Sequence, residues 1–392
     1  MSSGYELHQK LRTKTVRQVK KKQYDEAIST LHQGALSLLS QSEQGSGCDL
    51  AVYMIDVYGI KSQLVDSESR DRITDILAQA APDFWRKKVV DAAVKWSVKA
   101  TGASTGDPLL RLFVAKMYAK DGEYEHAEPH FLASCIETEQ TYAVESAPKA
   151  YAIAMASWLG KFAQQASEQP GETRNPDAIQ RIEAGRFALR ATIPLLANHA
   201  VQPAIAFQET YLTTVTSSLK SLLLPVTPNP RPYTPPGAST PSNVQLYLTA
   251  NPDLNFSQMA VALVSESAKL PANQRKPDWL RNAWINLVRQ YEREAPALTQ
   301  EDGVRGAIPQ IGADWFGLQP PRAQGNVLSD MMAGLFGGPT GAGAGGRKES
   351  SQIAGAGAPP KPLASGSAQG QPAAAPAPTT AVADDLVDDE MD

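Results

Sequence analysis

Histidine, acid and cysteine side chains, which often bind metals or catalyse reactions, come close together between residues 126 and 135. His126 and His130 are four residues apart on a predicted helix, Glu128 lies between them and Cys135 follows. Residues at this spacing share one helix face, which superficially suggests a pair of zinc ligands. The zinc-protease pattern, however, needs Glu directly after the first His, and Pro129 is expected to disrupt the helix. We therefore predict packing or surface histidines and no metal site.

Neither a phosphate-binding loop nor a serine nucleophile is indicated. Residues 338–348 are glycine-rich, but they lack the Gly-Lys-Ser/Thr ending and the preceding strand of a phosphate loop. Ser46, between two glycines, lacks the strand-to-helix turn of a nucleophile elbow and any nearby His/Asp pair that would activate it. The sequence predicts a protein that is not an enzyme and holds no cofactor.

Charge and cysteine content exclude further classes of protein. The chain has 392 residues, with 37 Lys and Arg against 41 Asp and Glu, and six of the acids fall in residues 384–392. The remainder is nearly neutral and lacks a basic block, so nucleic acid is not an expected partner. Two cysteines and the absence of an apolar leader argue against a disulfide scaffold and secretion.

No segment of the sequence suggests direct membrane insertion. The longest apolar stretch, residues 150–156, is seven residues long, whereas spanning a bilayer takes about 20. We predict a soluble protein of the cytosol.

Apolar residues recur at helical spacing from the N-terminus to about Leu224, whereas period-two alternation is absent. Asp107 followed by Pro108 predicts a helix start, with Asp107 as the N-cap. The Tyr-x-x-Ala pattern at Tyr24 recurs at Tyr124, and a bulky and a small residue at this spacing let paired helices pack closely, as in tetratricopeptide-like stacking. Since no strict 34-residue period runs through the chain, we predict an all-α, irregular tetratricopeptide-like solenoid.

The composition changes at Pro225. Seven prolines fall in residues 225–243, too many for a helix or a central strand, so a loop crossing a surface is expected. Val244, Leu246 and Leu248 alternate with other residues and predict a short strand pair, a small β-hairpin insertion in the C-terminal half. Helical spacing returns from Phe256 onward.

The C-terminal part of the sequence predicts a disordered tail preceded by a short amphipathic helix. Beyond Gly337 the chain is dominated by Gly, Ala, Pro and Ser, which cannot bury enough surface to fold. Just before it, five apolar residues stand at helical spacing: Leu328, Met331, Met332, Leu335 and Phe336. This segment is a candidate to dock on its own solenoid, the preferred interpretation, or to serve as a helix-in-groove ligand. The predicted organisation is residues 1–224, 225–338 and a tail, 339–392.

Basic and acidic residues near the N-terminus form a candidate docking face. Arg17 and Lys20 lie close in sequence to Asp49 and Asp56, and stacked helices would bring both signs onto neighbouring surfaces. Such faces are usually only solvated, but against a charged partner they steer association.

An ordered set of short strings resembles the Golgi-to-ER traffic protein 4 family over about residues 4 to 338. The strings include Tyr24-Asp25-Glu26-Ala27, Ser46-Gly47-Cys48-Asp49-Leu50, Gly106-Asp107-Pro108, Tyr124-Glu125-His126-Ala127-Glu128, Asp253-Leu254-Asn255-Phe256, Trp315-Phe316-Gly317 and the Asp330-Met331-Met332-Ala333-Gly334-Leu335-Phe336-Gly337-Gly338 box.

The resemblance implies a helical adaptor of the tail-anchored protein targeting pathway. It implies that the N-terminal half binds the targeting ATPase, with contacts at Arg17, Lys20, Asp49 and Asp56. It also implies that the C-terminal half binds a ubiquitin-like-domain partner, which connects to a chaperone-bound co-chaperone for delivery of clients to the endoplasmic reticulum. That second region is centred on Val244, Leu246, Leu248 and Phe256.

Two other functions remain open at this point. A helical subunit of a proteasome-lid or signalosome-like complex would carry a winged-helix sheet module, and the sequence offers one strand candidate. A helical prenyl-transfer enzyme would need metal or pyrophosphate ligands, against which the five scattered histidines and the absence of an Asp-rich helix argue.

Overall fold

The computed structural model describes residues 4–138, 141–142, 144–236, 244–271 and 274–319. These residues form fourteen α-helices and four two-residue strands, and they all fall within one compact unit, Met1–Asn326. The first seven helices are α1 (Gly4–Lys20), α2 (Tyr24–Ser40), α3 (Gln44–Lys61), α4 (Ser67–Gln79), α5 (Phe84–Thr101), α6 (Pro108–Lys120) and α7 (Tyr124–Ser134). The other seven are α8 (Ser146–Ser167), α9 (Pro176–Ala197), α10 (Val201–Ser218), α11 (Pro252–Ala268), α12 (Asp278–Glu294), α13 (Pro296–Gln300) and α14 (Asp302–Phe316).

Consecutive helices pack in pairs and stack in two layers. Helix α3 packs against α1 and α5 in one layer, and α4 packs against α2 and α6 in the other. Lys61, at the end of α3, lies 2.6 Å from Asp25 at the start of α2, as expected for an antiparallel pair. This arrangement confirms the predicted all-α, irregular helical solenoid.

An apolar core runs along the stack and includes a series of packed aromatic rings. Phe131 of α7 stacks on Tyr151 of α8 with centroids 5.2 Å apart, and Tyr151 contacts Phe207 of α10 at 5.0 Å. All three side chains are almost fully buried. Aromatic pairs add to the stabilisation from burial alone, so these contacts join α7, α8 and α10 into a rigid scaffold.

Local capping signals explain where several helices begin. The Asp107 carboxylate accepts a hydrogen bond from the Leu110 amide at 2.7 Å, and Pro108 occupies the first position of α6, as predicted. The expectation that Pro129 disrupts its helix is wrong, because α7 continues through it to Ser134. Proline removes one backbone hydrogen bond, and the buried side chains of Ala127 and Phe131 hold this helix in place on either side.

Two short antiparallel strand pairs interrupt the helical array. Strands β3 (Arg231–Pro232) and β4 (Gln245–Leu246) pair, which confirms the predicted hairpin. Asn229, in the proline-rich crossing, accepts from the Leu248 amide and donates to the Leu248 carbonyl, both at 2.9 Å. The pairing of β1 (Glu137–Thr138) with β2 (Thr141–Tyr142) was not predicted. Neither pair supplies the winged-helix sheet expected of a proteasome-lid subunit.

Some predictions are not tested by the described residues. The tail and the amphipathic segment 328–336 lie outside them, and the division at residue 224 stays a prediction. Among the helices that are described, none combines the length and the apolar character needed to cross a bilayer.

Candidate functional site

Of the two histidines of α7, His130 packs inside the protein and His126 lies at the surface. Arg111 Nη1 lies 3.1 Å from His130 Nδ1, and the His130 ring stacks on Tyr118. Burial and the neighbouring Arg111 lower the pKa of His130 to about 4, so the imidazole stays neutral. His126 is exposed and its Nδ1 lies 3.6 Å from Glu123. Within the described ranges, no three His, Cys, Asp or Glu side chains are grouped to hold a metal.

The two cysteines lack the surroundings of reactive thiols. Burial raises the pKa of Cys48 to about 11 and that of Cys135 to about 12. Because the thiolate is the reactive form, both side chains behave as small core residues at neutral pH.

The predicted N-terminal residues lie on α1 and α3, two neighbouring helices of one layer, and we call the exposed surface of α1, α3 and α5 the charged face. The structure pairs Asp49 with α1 residues that sequence reasoning missed: Arg12 Nη1 at 2.6 Å and His8 Nε2 at 2.8 Å. Arg12 also lies 5.8 Å from the centre of the Tyr53 ring. Asp49 therefore holds α1 against α3 and does not pair with Arg17 or Lys20.

Arg17, Lys20 and Asp56 are exposed, and in the described part of the chain none of them forms an ion pair. Asp56 follows Asp49 by seven residues, two helical turns, so both acids lie on the same side of α3. Partial burial and the negative charge of Asp49 raise the pKa of Asp56, while Lys95 of α5 lowers it. The charged face thus carries groups of both signs that are free to bind an external partner.

A basic depression runs along α1 beside these groups. It has a volume of about 590 Å³ and four basic lining residues: Lys10, Lys14, Arg17 and Lys21. A surface of this charge favours an acidic partner and raises the rate of association with it.

An exposed aromatic pair lies at the start of α5. Phe84 and Trp85 are 62% and 40% exposed, and Lys88 Nζ lies 4.6 and 4.8 Å from their ring centres. Trp85 packs against Gly45 near the start of α3, where a Cβ would lie 3.3 Å from the indole ring. Exposed aromatic residues of this kind are typical of the centres of protein interfaces.

A second surface lies in the C-terminal half, in a depression we call the hairpin groove, between α10, α11 and the start of β4. It consists of two cavities of about 630 and 70 Å³, which share Ile205, Glu209 and Val244 in their linings. The predicted Val244 lies in this groove, whereas Leu246 and Leu248, farther along the same segment, are half-buried and line neither cavity.

The prediction that Phe256 contacts a partner is not supported by its position. Phe256 is fully buried, with its ring 5.8 Å from Tyr291 and 6.3 Å from Trp284. Because α12 covers it, Phe256 supports α11 from inside the core.

Two glutamines of the hairpin groove were missed by sequence reasoning, because a single Gln carries no recognisable pattern. Gln258 of α11 accepts from the Tyr247 amide at 2.7 Å and donates to the Tyr247 carbonyl at 2.9 Å, which fixes the strand to the helix. Gln208 accepts from Ser257 at 2.7 Å, but its buried Nε2 has no hydrogen-bond partner among the residues that the structure describes.

Comparison with known proteins identifies relatives over most of the chain. The family model described as Golgi to ER traffic protein 4 matches residues 21–336. The Golgi to ER traffic protein 4 of Schizosaccharomyces pombe is 27% identical over 336 residues, covering 86% of this chain and 91% of the relative. The protein of the same name from Aspergillus fumigatus is 26% identical over 350 residues, covering 85% and 86%. The crystal structure of C. therm. Get4 matches with a TM-score of 0.65 and 25% identity, covering 86% of this chain and 90% of that one.

Proposed function

The chain belongs to the Golgi to ER traffic protein 4 family, with a role in Golgi-to-ER traffic in the GET pathway, and we propose that it acts there as a non-enzymatic adaptor. In this proposal it connects the targeting ATPase to a ubiquitin-like-domain protein and, through that protein, to a chaperone-bound co-chaperone. Tail-anchored membrane proteins then pass to the ATPase in the cytosol for delivery to the endoplasmic reticulum.

The charged face is the proposed docking surface for the ATPase. Its support is that Arg17, Lys20 and Asp56 project from one layer of helices without ion pairs to the described residues. Charges already paired within the molecule gain little from a partner, whereas unpaired charges of both signs can select a complementary surface and its orientation. Asp49 takes part indirectly in this proposal, by holding α1 in register with α3.

The hairpin groove is the proposed docking surface for the ubiquitin-like-domain protein. Its lining includes the apolar side chains of Ile205 and Val244 in both of its cavities. A groove of this composition suits a segment that buries apolar side chains in it.

The observation that carries the proposal is that the two surfaces are built from different helices. The charged face uses α1, α3 and α5, whereas the hairpin groove uses α10, α11 and β4, and the rigid core of α7 and α8 lies between them in the stack. An adaptor needs this separation, because both partners must bind at once.

The test measures both partners on the same full-length variants. Asp56→Lys is expected to weaken ATPase binding about tenfold and to reduce its salt dependence, while binding of the ubiquitin-like-domain protein stays unchanged. Asp71→Lys, at an exposed site on α4 in the other layer, is the matched control. Equal ATPase binding by the Asp56 variant and the wild type across the salt series would remove the charged face from the proposal.

The reciprocal variant is Val244→Asp, at a position that lines both cavities of the hairpin groove, and it is expected to weaken binding of the ubiquitin-like-domain protein at least tenfold and to leave ATPase binding intact. Ser217→Asp, at an exposed site on α10 outside the groove lining, is its control. Loss of both partners together in one variant would argue against two separate surfaces.

A further inference from the structure

A third depression, which we call the lysine groove, is lined by residues of α6, α7 and α8 in the middle of the chain. Its volume is about 520 Å³, within the range of protein pockets that bind ligands. The lining shares no residue with the basic depression or with either cavity of the hairpin groove. The lysine groove is therefore separate from both docking surfaces proposed above.

Packed aromatic rings give the lysine groove a fixed shape. Phe131 lines it and stacks on Tyr151 of α8, with centroids 5.2 Å apart and planes inclined by 11°. Tyr124 also lines it and stacks on Trp158 of α8, with centroids 5.8 Å apart and the same inclination. These pairs hold α7 against α8, so a partner that binds here meets a preformed surface and loses little free energy in ordering it.

The α8 side of the groove offers apolar surface to a partner. Ile153 lines the groove and is 54% exposed. Ala150 and Ala154 lie beside it, and their small side chains leave space above the helix. The lining on α8 extends over residues 146–157, a rise of about 16 Å or three helical turns. The apolar surface thus matches about three turns of a second helix.

Three lysines border this apolar surface: Lys116 and Lys120 on α6 and Lys149 on α8. All three are exposed, and none forms an ion pair with another residue in the described part of the chain. The lining contains no Asp or Glu side chain. Lys116 and Lys120 are one turn apart on α6, where like charges repel each other. Acidic groups of a partner would relieve this repulsion, whereas basic groups would increase it.

The lining also indicates the backbone conformation of the partner. Every lining residue belongs to a helix, so the groove offers no strand edge that could pair with an extended peptide. An extended segment would bury backbone amides and carbonyls without partners, whereas a helix satisfies these groups internally. A groove between helices accordingly suits a helical segment.

We propose that the lysine groove is a third docking surface, which binds an acidic amphipathic helix of another protein. The apolar face of that helix packs against Ile153 and the ring edges of Tyr124 and Phe131. Aspartate or glutamate side chains on its flanks pair with Lys116 and Lys120 on one side and with Lys149 on the other. Binding here leaves the charged face and the hairpin groove free.

A designed peptide tests this chemistry directly. The probe is a fluorescent synthetic helix of about 14 residues, with leucines along one face and glutamates on both flanks. Anisotropy with the full-length chain is expected to show binding about tenfold tighter than that of a scrambled peptide of the same composition or of a glutamine-for-glutamate peptide. Equal binding of the scrambled peptide would mean that charge alone is recognised and would overturn the proposal, as would no binding of the probe.

Charge reversal in the full-length chain tests where the probe binds. Lys116→Glu combined with Lys149→Glu is expected to weaken probe binding about tenfold or more and to reduce its salt dependence. Lys99→Glu combined with Lys220→Glu is the matched control, because it changes the net charge equally at exposed sites outside the lining. Equal weakening by the two double variants would show that the probe responds to net charge and would overturn the proposal.

Ile153→Gln tests the apolar half of the contact without changing any charge. It is expected to weaken probe binding about fivefold, by loss of buried apolar area, while urea unfolding stays close to that of the wild type. Ile182→Gln on α9 is the control, since Ile182 is 48% exposed and lies outside the lining. Full probe binding by the Ile153 variant would overturn the proposal.

Hydrogen exchange and sedimentation identify the occupant of the groove. The probe is expected to slow exchange several-fold in α6 and α8 and to leave α11 unchanged, whereas no slowing in α6 and α8 would overturn the proposal. Sedimentation of the full-length chain alone is expected to give the same mass for the wild type and the Ile153→Gln variant. A dimer that this variant abolishes would make a second copy of the chain the occupant and would overturn the proposal.

Discussion

Arg12 donates a hydrogen bond to the Asp49 carboxylate across 2.6 Å and so joins α1 to α3 at the surface of the molecule. His8, one turn earlier on α1, lies 2.8 Å from the same carboxylate. Asp56 lies two turns further along α3 and has no ion pair within the described part of the chain. Two acids on the same face of one helix therefore have different roles, one structural and one available to a partner.

The first prediction compares Asp49→Asn with Asp56→Asn. The Asp49 variant is expected to lose up to about 1 kcal/mol of unfolding free energy, because Asp49 and Arg12 are both substantially exposed, and to exchange amide hydrogens faster in α1. Asp56 forms no ion pair within the described part of the chain, and the burial that raises its pKa outweighs the attraction of Lys95, so the unfolding free energy of the Asp56 variant should not fall. Urea unfolding and hydrogen exchange provide the measurements. Faster α1 exchange in both variants would show that Asp56, like Asp49, holds α1 in place.

The contrast between these acids marks a limit of sequence analysis. The helix start at Asp107 was predictable because a cap and a following proline act within four residues. The pairing of Arg12 with Asp49 spans 37 residues and depends on the register of two helices in one layer. Phe256 was placed near a partner surface by its sequence position, but its burial is determined by α12, which packs over it.

The second prediction concerns the close approach of α9 to the start of α11. A Cβ on Gly185 would overlap the Leu254 amide and the Asn251 side chain, which caps α11 and also donates to the Arg181 and Ile182 carbonyls. Gly185→Ala must therefore push the helices apart, at an expected cost of about 3 kcal/mol.

Gly160→Ala on α8 is the matched control, since a Cβ there meets no atom within 4 Å. The same substitution in an open helical position is expected to stabilise by up to about 1 kcal/mol. Thermal and urea unfolding of both variants give the comparison. Similar stability of the two alanine variants would show that α9 and α11 can separate without cost.

The third prediction is that the charged Asp253 carboxylate lowers the free energy of unfolding at neutral pH. Burial raises its pKa to about 6, the nearby Glu183 and Glu301 act in the same direction, and the Ala297 amide and Arg186 oppose them. Because the folded pKa exceeds the unfolded value of about 3.9, the stabilisation present below pH 4 is lost as the pH rises through 6.

Asp253→Asn keeps an oxygen that can accept from the Ala297 amide and removes the charge. The variant is expected to gain up to about 2 to 3 kcal/mol at pH 7.5, and the gain should vanish towards pH 4. Asp302→Asn, at an exposed site, is the control and should show no such pH dependence. A variant less stable than the wild type at pH 7.5 would mean that the carboxylate is stabilising as it stands.

The last prediction concerns His130, whose effect on stability changes with pH in the direction opposite to that of Asp253. Burial against Tyr118 and the charge of Arg111, with a smaller contribution from His126, lower the pKa of His130 to about 4. The unfolded chain takes up this proton near pH 6.5 while the folded chain does not, so stability is complete above pH 6.5 and falls until pH 4. The expected loss across this interval is up to about 3 kcal/mol.

His130→Gln removes this titration and keeps a side-chain oxygen that can accept from Arg111. The unfolding free energy of the variant, taken relative to that of the wild type at the same pH, should therefore rise between pH 7.5 and pH 4.5, even if the lost stacking on Tyr118 lowers it at both pH values. His126→Gln, at an exposed position on the same helix, should retain the full wild-type dependence. If the His126 variant shows this relative rise and the His130 variant does not, the buried imidazole is not the group that titrates. A His130 variant that keeps the same difference from the wild type at both pH values would mean that His130 takes up its proton in the folded state near pH 6.5, and that the packing of α7 against α6 leaves it open to water.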